Sequence, residues 1–421
     1  MECRNSLVLE VGGRIKLLEF MVRAIIGTDS THVYFGVYID VQKQVLEIST
    51  HLSVHSGLYA TYRWPIVQST LLKNRYLEVP ARGFVSILSK VGVNEPVWLG
   101  LPDENKIYIA TYQETHPSQI SLFEPPAYTP KITNRTGPRY SIQSIEHRKL
   151  NEYDFLFNGN ECSFKVDAAT LCKELKLIEL LAKEGGDIKP DNNKFKSCEL
   201  ILEPKINESH NYISLYSRKS QWFASQELDI QCDTQNFAYN NRLAHINISA
   251  LSKLTGLLSQ VSGSVRVDIC QSHLSLSRGQ WQCAFRQTQP TWDGASVAEQ
   301  FRSLDNEYFN SFSTHTLKET LVNLNVANDE KKARLHIDQH FQSDLTTLSL
   351  SQDNVHSSID YPMPIPPNTL ATPISLSLWS LVSVLNYSDG ELLWGFDIDK
   401  NRVIFTNNER RKHFVLLLKE E

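Results

Sequence analysis

Residues Ile246–Gln287 read INISALSKLTGLLSQVSGSVRVDICQSHLSLSRGQWQCAFRQ. Apolar side chains at Ile248, Leu251, Leu254, Leu258 and Val261 step by three or four, which lines one face of a helix. Gly263 is the expected stop. Beyond it the period drops to two. Val265, Val267 and Ile269 alternate with polar neighbours, then Leu274 and Leu276 with serines, then Trp281, Cys283 and Phe285 with Gln282 and Arg286. The joints Gln271-Ser272 and Arg278-Gly279-Gln280 are too short for a crossover, so the three strands are antiparallel.

The same order recurs twice. From Ala81 a helix carrying Phe84, Ile87, Leu88 and Val91 leads to strands at 97–101, 106–112 and 119–123. From Ser375 a helix with Leu378, Leu381, Val382 and Leu385 leads to strands at 392–398, 402–406 and 413–418. A second helix-then-strands pattern precedes each copy, at 14–26, 168–183 and 316–327. The reading is an α+β chain of three domains, each built from two similar halves of one helix and antiparallel strands, over 1–130, 138–299 and 304–421. Pro-rich Glu124–Arg139 serves as the first joint and polar Ala298–Asn306 as the second. Segments 185–194 and Pro204–Asn211 read as surface loops, and the proline run Tyr361–Pro367 as a connector inside the third domain.

At 421 residues and 41% hydrophobic content the chain can bury several cores. Seven cysteines without a CxxC pair suit reduced thiols in the cytoplasm. The N-terminal stretch has no apolar signal region, and no apolar run is long enough to span a bilayer. A net charge of −5 argues against an open nucleic-acid-gripping surface.

That charge is unevenly spread. The expected helices hold Arg14, Lys16, Arg23, Arg82, Lys90, Lys173, Lys176, Lys183, Lys253 and Lys318 against Glu19, Glu174, Glu179, Glu184 and Glu319. They are positive by about five charges, leaving about ten negatives for strands and loops. The helices from Ala81, Ile248 and Ser375 carry no acid. With few charges per helix, scatter would give a similar picture. Combined with the repeat, however, two chains closing head to tail would set twelve helices inside a ring of sheets. Spaced ~9 Å apart, they would leave a hole ~35 Å wide, enough for a duplex ~20 Å across. Such a ring holds DNA by topology and can slide.

Three stretches carry a family likeness: Tyr76-Leu77-Glu78-Val79-Pro80-Ala81-Arg82 entering a helix, Ile246 to Gln289, and Ser375 to Leu418. With them the chain resembles, over nearly its whole length, a divergent bacterial β sliding clamp, the processivity subunit of DNA polymerase III. The resemblance implies a homodimeric ring around double-stranded DNA, active in DNA replication. It also implies binding of a polymerase and an ATP-dependent clamp loader through peptides, with no enzymatic activity or cofactor. It assigns a partner-peptide pocket to Phe223, Trp292, Val297, Val415, Leu416 and Leu417, residues that would equally close an interdomain core. The sequence departs from the family there: Arg218-Lys219-Ser220-Gln221-Trp222-Phe223 replaces Thr-Asp-Gly-His-Arg-Leu, and Leu416-Leu417-Leu418-Lys419-Glu420-Glu421 replaces Met-Pro-Met-Arg-Leu. Ring closure would use Ile120 and Leu122 of one chain with Leu324 and Val326 of the next, residues that could also be ordinary core.

No Gly-rich phosphate loop, nucleophile elbow or metal motif is present in the sequence. His336, Asp338 and His340 share one face of a strand, a pattern that fits a solvated strand face as well as a hydrolase or metal site. The rivals to a closed clamp are a clamp-derived scaffold or decoy that does not encircle DNA, and this hydrolase.

Overall fold

The structure is a computed structural model that describes residues 5–11, 15–26, 34–50, 58–91, 96–102, 105–112, 135–146, 162–183, 199–206, 210–219, 222–232, 244–270, 273–287, 292–303, 309–325, 333–339, 346–352, 355–362, 374–388, 390–397 and 402–417. The chain opens with β1 (Ser6–Leu9), α1 (Ile15–Ile26), β2 (Tyr34–Asp40), β3 (Val45–Thr50) and β4 (Leu58–Ser69). β5 (Arg75–Pro80), α2 (Ala81–Val91), β6 (Val97–Gly100), β7 (Lys106–Tyr112), β8 (Arg135–Gln143) and β9 (Ile145–Glu146) follow. Next come β10 (Cys162–Asp167), α3 (Ala168–Ala182), β11 (Glu199–Ile206), β12 (Asn211–Lys219) and β13 (Trp222–Asp229). Then come β14 (Ala244–Asn247), α4 (Ile248–Leu258), β15 (Ser264–Ile269), β16 (His273–Arg278), β17 (Trp281–Arg286) and α5 (Gly294–Arg302). The last third holds β18 (Phe309–Ser313), α6 (Thr314–Leu324), β19 (Arg334–Gln339), β20 (Thr346–Gln352) and β21 (Val355–Tyr361). It ends with β22 (Ile374–Ser377), α7 (Leu378–Tyr387), β23 (Glu391–Asp397), β24 (Arg402–Thr406) and β25 (Lys412–Leu417).

One strand, one helix and three strands recur six times in this order, with β9 and α5 outside the pattern. Every strand pair given by the described residues is antiparallel, consistent with the short sequence turns. Gly279, at φ 55, makes the turn between β16 and β17 with open space beside it. The helix from Ile248 ends at Leu258 rather than at Val261. Gly263, at φ 73, then reverses the chain into β15.

Residues 1–160 and 275–286 form one compact unit. In it β2 pairs with β3 and β5, β1 joins β4 to β6, and β7 carries β8 on its far side. α2 sends Phe84, Val85, Leu88 and Val91 inward, each large apolar side chain contributing about 1.5–3 kcal/mol of burial. The described strand at 135–143 holds the third place after α2; the expected strand at 119–123 lies outside the described residues. The joint expected over 124–139 therefore gives way to strand from Arg135 onward. Gly137-Pro138 had the look of a turn. In β8 they sit where the register slips between Ile109↔Tyr140 and Thr111↔Thr136, which is how an edge strand accommodates proline.

Residues 161–274 and 287–421 form the second unit. Its eight-stranded sheet runs β14-β11-β12-β13-β25-β24-β23-β18, and a four-stranded sheet runs β21-β20-β19-β22. Pro204, expected in a loop, is inside β11 opposite Ile213. Leu202, opposite Ala244, is the last residue of β11 paired with β14 among the described residues. α3 starts on Asp167, whose carboxylate accepts the Thr170 amide and is held below the usual carboxylate range by that bond. At the other end, three successive carbonyls receive side-chain donors from three elements. Trp379 Nε1 donates to Leu180 at 2.9 Å, Trp222 Nε1 to Leu181 at 3.1 Å, and Lys219 Nζ to Ala182 at 3.1 Å. Among the described residues no helix is long and apolar enough to cross a membrane.

Candidate functional site

The helix charges sort by exposure. Lys16 on α1, Arg82 and Lys90 on α2, Lys176 on α3 and Lys318 on α6 are exposed. Lys173 and Lys253 are half-buried, and desolvation lowers the Lys253 pKa. Lys183 is the C-cap of α3 and bonds back to Glu179 at 2.8 Å. Arg14 lies outside the described residues, as does the Arg23 side chain, although Arg23 is within α1. The helical acids are mostly occupied. Glu174 is 3% exposed and takes Lys412 Nζ at 2.5 Å. Glu179 accepts Thr255 Oγ1 at 2.7 Å on its second oxygen, and Glu19 accepts Ser89 Oγ at 3.0 Å. α2, α4 and α7 carry no acid. Glu319 on α6 is the exception, 66% exposed beside His315 at 3.5 Å, so the inward tying of carboxylates holds for α1 and α3.

The residues assigned to a partner pocket only partly meet. Phe223 on β13 lies directly opposite Val415 on β25, and Ile404 on β24 lies next to Val415. With Ile201, Tyr216, Phe309 and Ala298 they form one buried cluster, against which Trp292, Ala295, Val297 and Leu393 pack half-buried. The Trp292 ring meets Phe223 edge-on, centroids 5.9 Å apart at 79°. Arg218 Cζ lies 4.6 Å from the Trp292 ring centre. Leu416 is buried but registers with Trp222, so the strand period turns it to the opposite face of the sheet. The Leu417 side chain lies outside the described residues.

Trp292 and Val297 reach the cluster because Gly294–Arg302 is a helix, where the sequence reading had a polar boundary starting at Ala298. Asp293 caps it, accepting the amides of Ala295 and Ser296 at 3.0 and 3.3 Å. Gly294 is required by close packing: a Cβ there would stand 2.5 Å from the Tyr216 ring. Across the sheet Tyr216 donates to Glu203 at 3.1 Å, and burial pushes its hydroxyl pKa up. His413 on β25 is buried beside Thr406, 3.1 Å from its hydroxyl. Desolvation and the nearby Arg302 and Arg410 charges lower the His413 pKa to about 4.

Of the residues expected at a chain–chain contact, Ile120, Leu122 and Val326 lie outside the described residues. Leu324 is 7% exposed at the end of α6, on the stripe Leu317–Leu321–Leu324 that faces its own sheet. Its carbonyl accepts Ser357 Oγ of β21 at 2.9 Å. Among the described residues four large apolar side chains are exposed: Val67 on β4 (59%), Leu72 (93%), Val322 on α6 (62%) and Ile359 on β21 (40%). β21 ends its sheet among the described residues, as β8 does in the other unit. His336 Nε2 lies 2.6 Å from Ser351 Oγ, Asp338 is exposed, and His340 lies outside the described residues. Among the described residues no group of three His, Cys, Asp or Glu could hold a metal ion.

By sequence, no family model and no curated protein matches the chain. Solved structures do match over nearly its whole length. Caulobacter crescentus pol III β aligns with a TM-score of 0.72 at 11% identity, covering 99% of this chain and 100% of that one. The DNA polymerase III subunit beta of Pseudomonas aeruginosa gives 0.70 at 11% identity, with 99% and 100% covered. A DnaN sliding clamp from Bartonella birtlesii bound to griselimycin gives 0.67 at 11% identity, again with 99% and 100% covered. A shared fold across the full length of both chains, at so little identity, bears out the resemblance carried by 76–82, 246–289 and 375–418: this chain has the fold of the bacterial DNA polymerase III β sliding clamps.

Proposed function

We propose that the chain is a DNA sliding clamp, a processivity factor rather than an enzyme, working in the cytoplasm without a cofactor. Two copies join head to tail into a ring of six domains, three per chain and each of two halves. Helices line the hole and sheets form the rim. The observation that carries this reading is the charge state of the helices within a clamp fold. α2, α4 and α7 lack acids, the α3 carboxylates are occupied by Lys412, Lys183 and Thr255, and Lys16, Arg82, Lys90, Lys176 and Lys318 remain exposed. Such a lining meets phosphates without base contacts, so it positions a duplex without reading its sequence.

In this reading the edges of β8 and β21, unpaired among the described residues, pair between copies, with Val322 and Ile359 covered at the seam. The cluster around Phe223, Trp292, Val297 and Val415 receives apolar anchors from a polymerase or repair factor and from an ATP-dependent clamp loader. The test is light scattering followed, on the same sample, by retention on nicked circular DNA with a loader. The expected outcome is a dimer that stays on the circle in high salt and leaves when the circle is cut. Simple phosphate contacts would weaken steeply with salt, so a monomer that is not retained would overturn the ring.

A further inference from the structure

Two turns of the first unit are tied into one surface. Between β2 and β3 the chain reverses through 41–44, with Gln44 at φ 51, and between β4 and β5 it reverses through 70–74. Asn74 joins them: its Oδ1 accepts the Val41 amide at 2.9 Å and its Nδ2 donates to the Tyr38 hydroxyl at 3.0 Å. The Gln44 carbonyl accepts the Ile66 amide at 2.8 Å, next to Val67. The second turn is pinned from its own side. The Thr70 amide donates to the Ser6 carbonyl at 2.9 Å, the Thr70 hydroxyl accepts the Ser6 amide at 2.9 Å, and the Leu71 amide donates to Ser69 Oγ at 3.1 Å. Leu71 is buried, so the backbone is anchored while Leu72 beside it stands almost wholly in solvent. Val67 is the extra residue of a bulge in β4, since Val8 pairs with Gln68 and Leu9 with Ile66. A bulge re-aims a side chain, and Val67 is turned outward. Lys43 and Lys73 are exposed on the same two turns. Asp40, the acid beside them, is buried; it accepts the Lys43 amide at 3.0 Å and leaves the lysine amine 3.6 Å away and outward.

A single exposed apolar side chain is ordinary on a protein surface, but two on adjoining hydrogen-bonded turns, flanked by two lysines, form a pattern. Leu72 and Val67 project outward, so whatever covers them must close around them. An acyl layer does this, and lysines at its border favour a layer with negative headgroups. We propose that these turns dock the protein on a bilayer rich in anionic phospholipid. Leu72 and Val67 enter the acyl boundary, and Lys43 and Lys73 lie at the level of the phosphates. The contact is peripheral, makes and breaks no covalent bond, and does not depend on the clamp reading. Two apolar side chains with two lysines give a weak and reversible attachment.

The test is sedimentation of the full chain with large vesicles, one set of phosphatidylcholine alone and one in which about a third of the lipid is phosphatidylserine. At low salt the wild type should bind the anionic set about tenfold tighter, and high salt should bring the two sets together. Leu72→Ser with Val67→Ser should weaken binding to the anionic set about tenfold with an unchanged melting temperature, because both side chains already face water. Lys43→Gln with Lys73→Gln should remove the preference for the anionic set. Full binding by the serine pair means charge attraction alone and overturns the insertion. Equal binding of the two vesicle sets by the wild type, or a preference that survives the glutamine pair, overturns the role of the lysines. If neither set is bound, the lipid assignment falls and the two turns are left to a protein with an apolar pocket of its own.

Discussion

The seam between β13 and β25 and the outer edges of β8 and β21, unpaired among the described residues, solve the same problem in opposite ways. At the seam, every pair from Trp222↔Leu416 to Gln226↔Lys412 is made inside one chain, with Phe223, Ala224, Phe414 and Val415 buried along it. Ion pairs flank it: Lys412 with Glu174, and Arg411 with Glu227 and Asp229. At the edges the exposed residues are mostly polar, Ser141 and Gln143 on β8, and His356, Ser358 and Asp360 on β21, with Ile359 and nearby Val322 as isolated apolar points. A strand committed within its own chain can be apolar on both faces. A strand left open must discourage random pairing and keeps only a small apolar element. The difference separates strands committed within the chain from strands that end their sheets among the described residues.

Four substitutions or conditions probe that contrast. The largest effect is expected for Trp222→Ala, which empties a site 2% exposed and frees the Leu181 carbonyl. Urea unfolding should show a loss of about 3–5 kcal/mol. Lys412→Met strands the Glu174 carboxylate, which is 3% exposed, and should cost about 2 kcal/mol, discounted because the lysine side chain is partly exposed. Adding Glu174→Leu should recover most of that loss in the same assay.

The third concerns pH. The folded pKa of His413, about 4, is below its unfolded value, so only the unfolded state takes up the proton as pH falls through about 6.5. That contribution is fully present above the unfolded pKa and declines as pH falls toward 4. Between pH 7.5 and pH 5 the wild type should lose about 2 kcal/mol more than His413→Gln does in parallel urea titrations. The smallest effect on stability, within about 0.5 kcal/mol, is expected for Val322→Asp combined with Ile359→Lys, because both positions face out. Light scattering should nevertheless show the mass halved. A dimer that survives both changes would place the contact between copies elsewhere.

Sequence spacing made much of this legible, and the failures have physical causes. Phe84, Leu88 and Val91, like Leu251, Leu254 and Leu258, mark helix faces because a repeat of three or four has no other use. α5 escaped because its buried side is made of small residues, Ala295 and Ala298, and its start depends on one cap, Asp293. β8 escaped because Gly137-Pro138 speaks for a turn, and only the register slip opposite Thr111 reconciles proline with an edge strand. The pocket assignment took neighbours along β25 together, although strand period sends Val415 and Leu416 to opposite faces. The stripe Leu317, Leu321 and Leu324 directs Leu324 inward and leaves Val322 outward, a distinction visible once that helix is drawn as a wheel. Arg218 over Trp292 joins residues far apart in the chain, and no local pattern announces it.

The end of α3 has a consequence in time as well as in space. Final turns of helices ordinarily open by themselves, exchanging their amide hydrogens long before the rest of a domain does. Here the carbonyls of Leu180, Leu181 and Ala182 are held from α7, β13 and β12, so that turn cannot open without releasing side chains anchored in three other elements. Its amides should therefore exchange as slowly as those in the middle of the eight-stranded sheet. The tip of a helix, usually the first part of a fold to let in solvent, becomes in this unit one of the last.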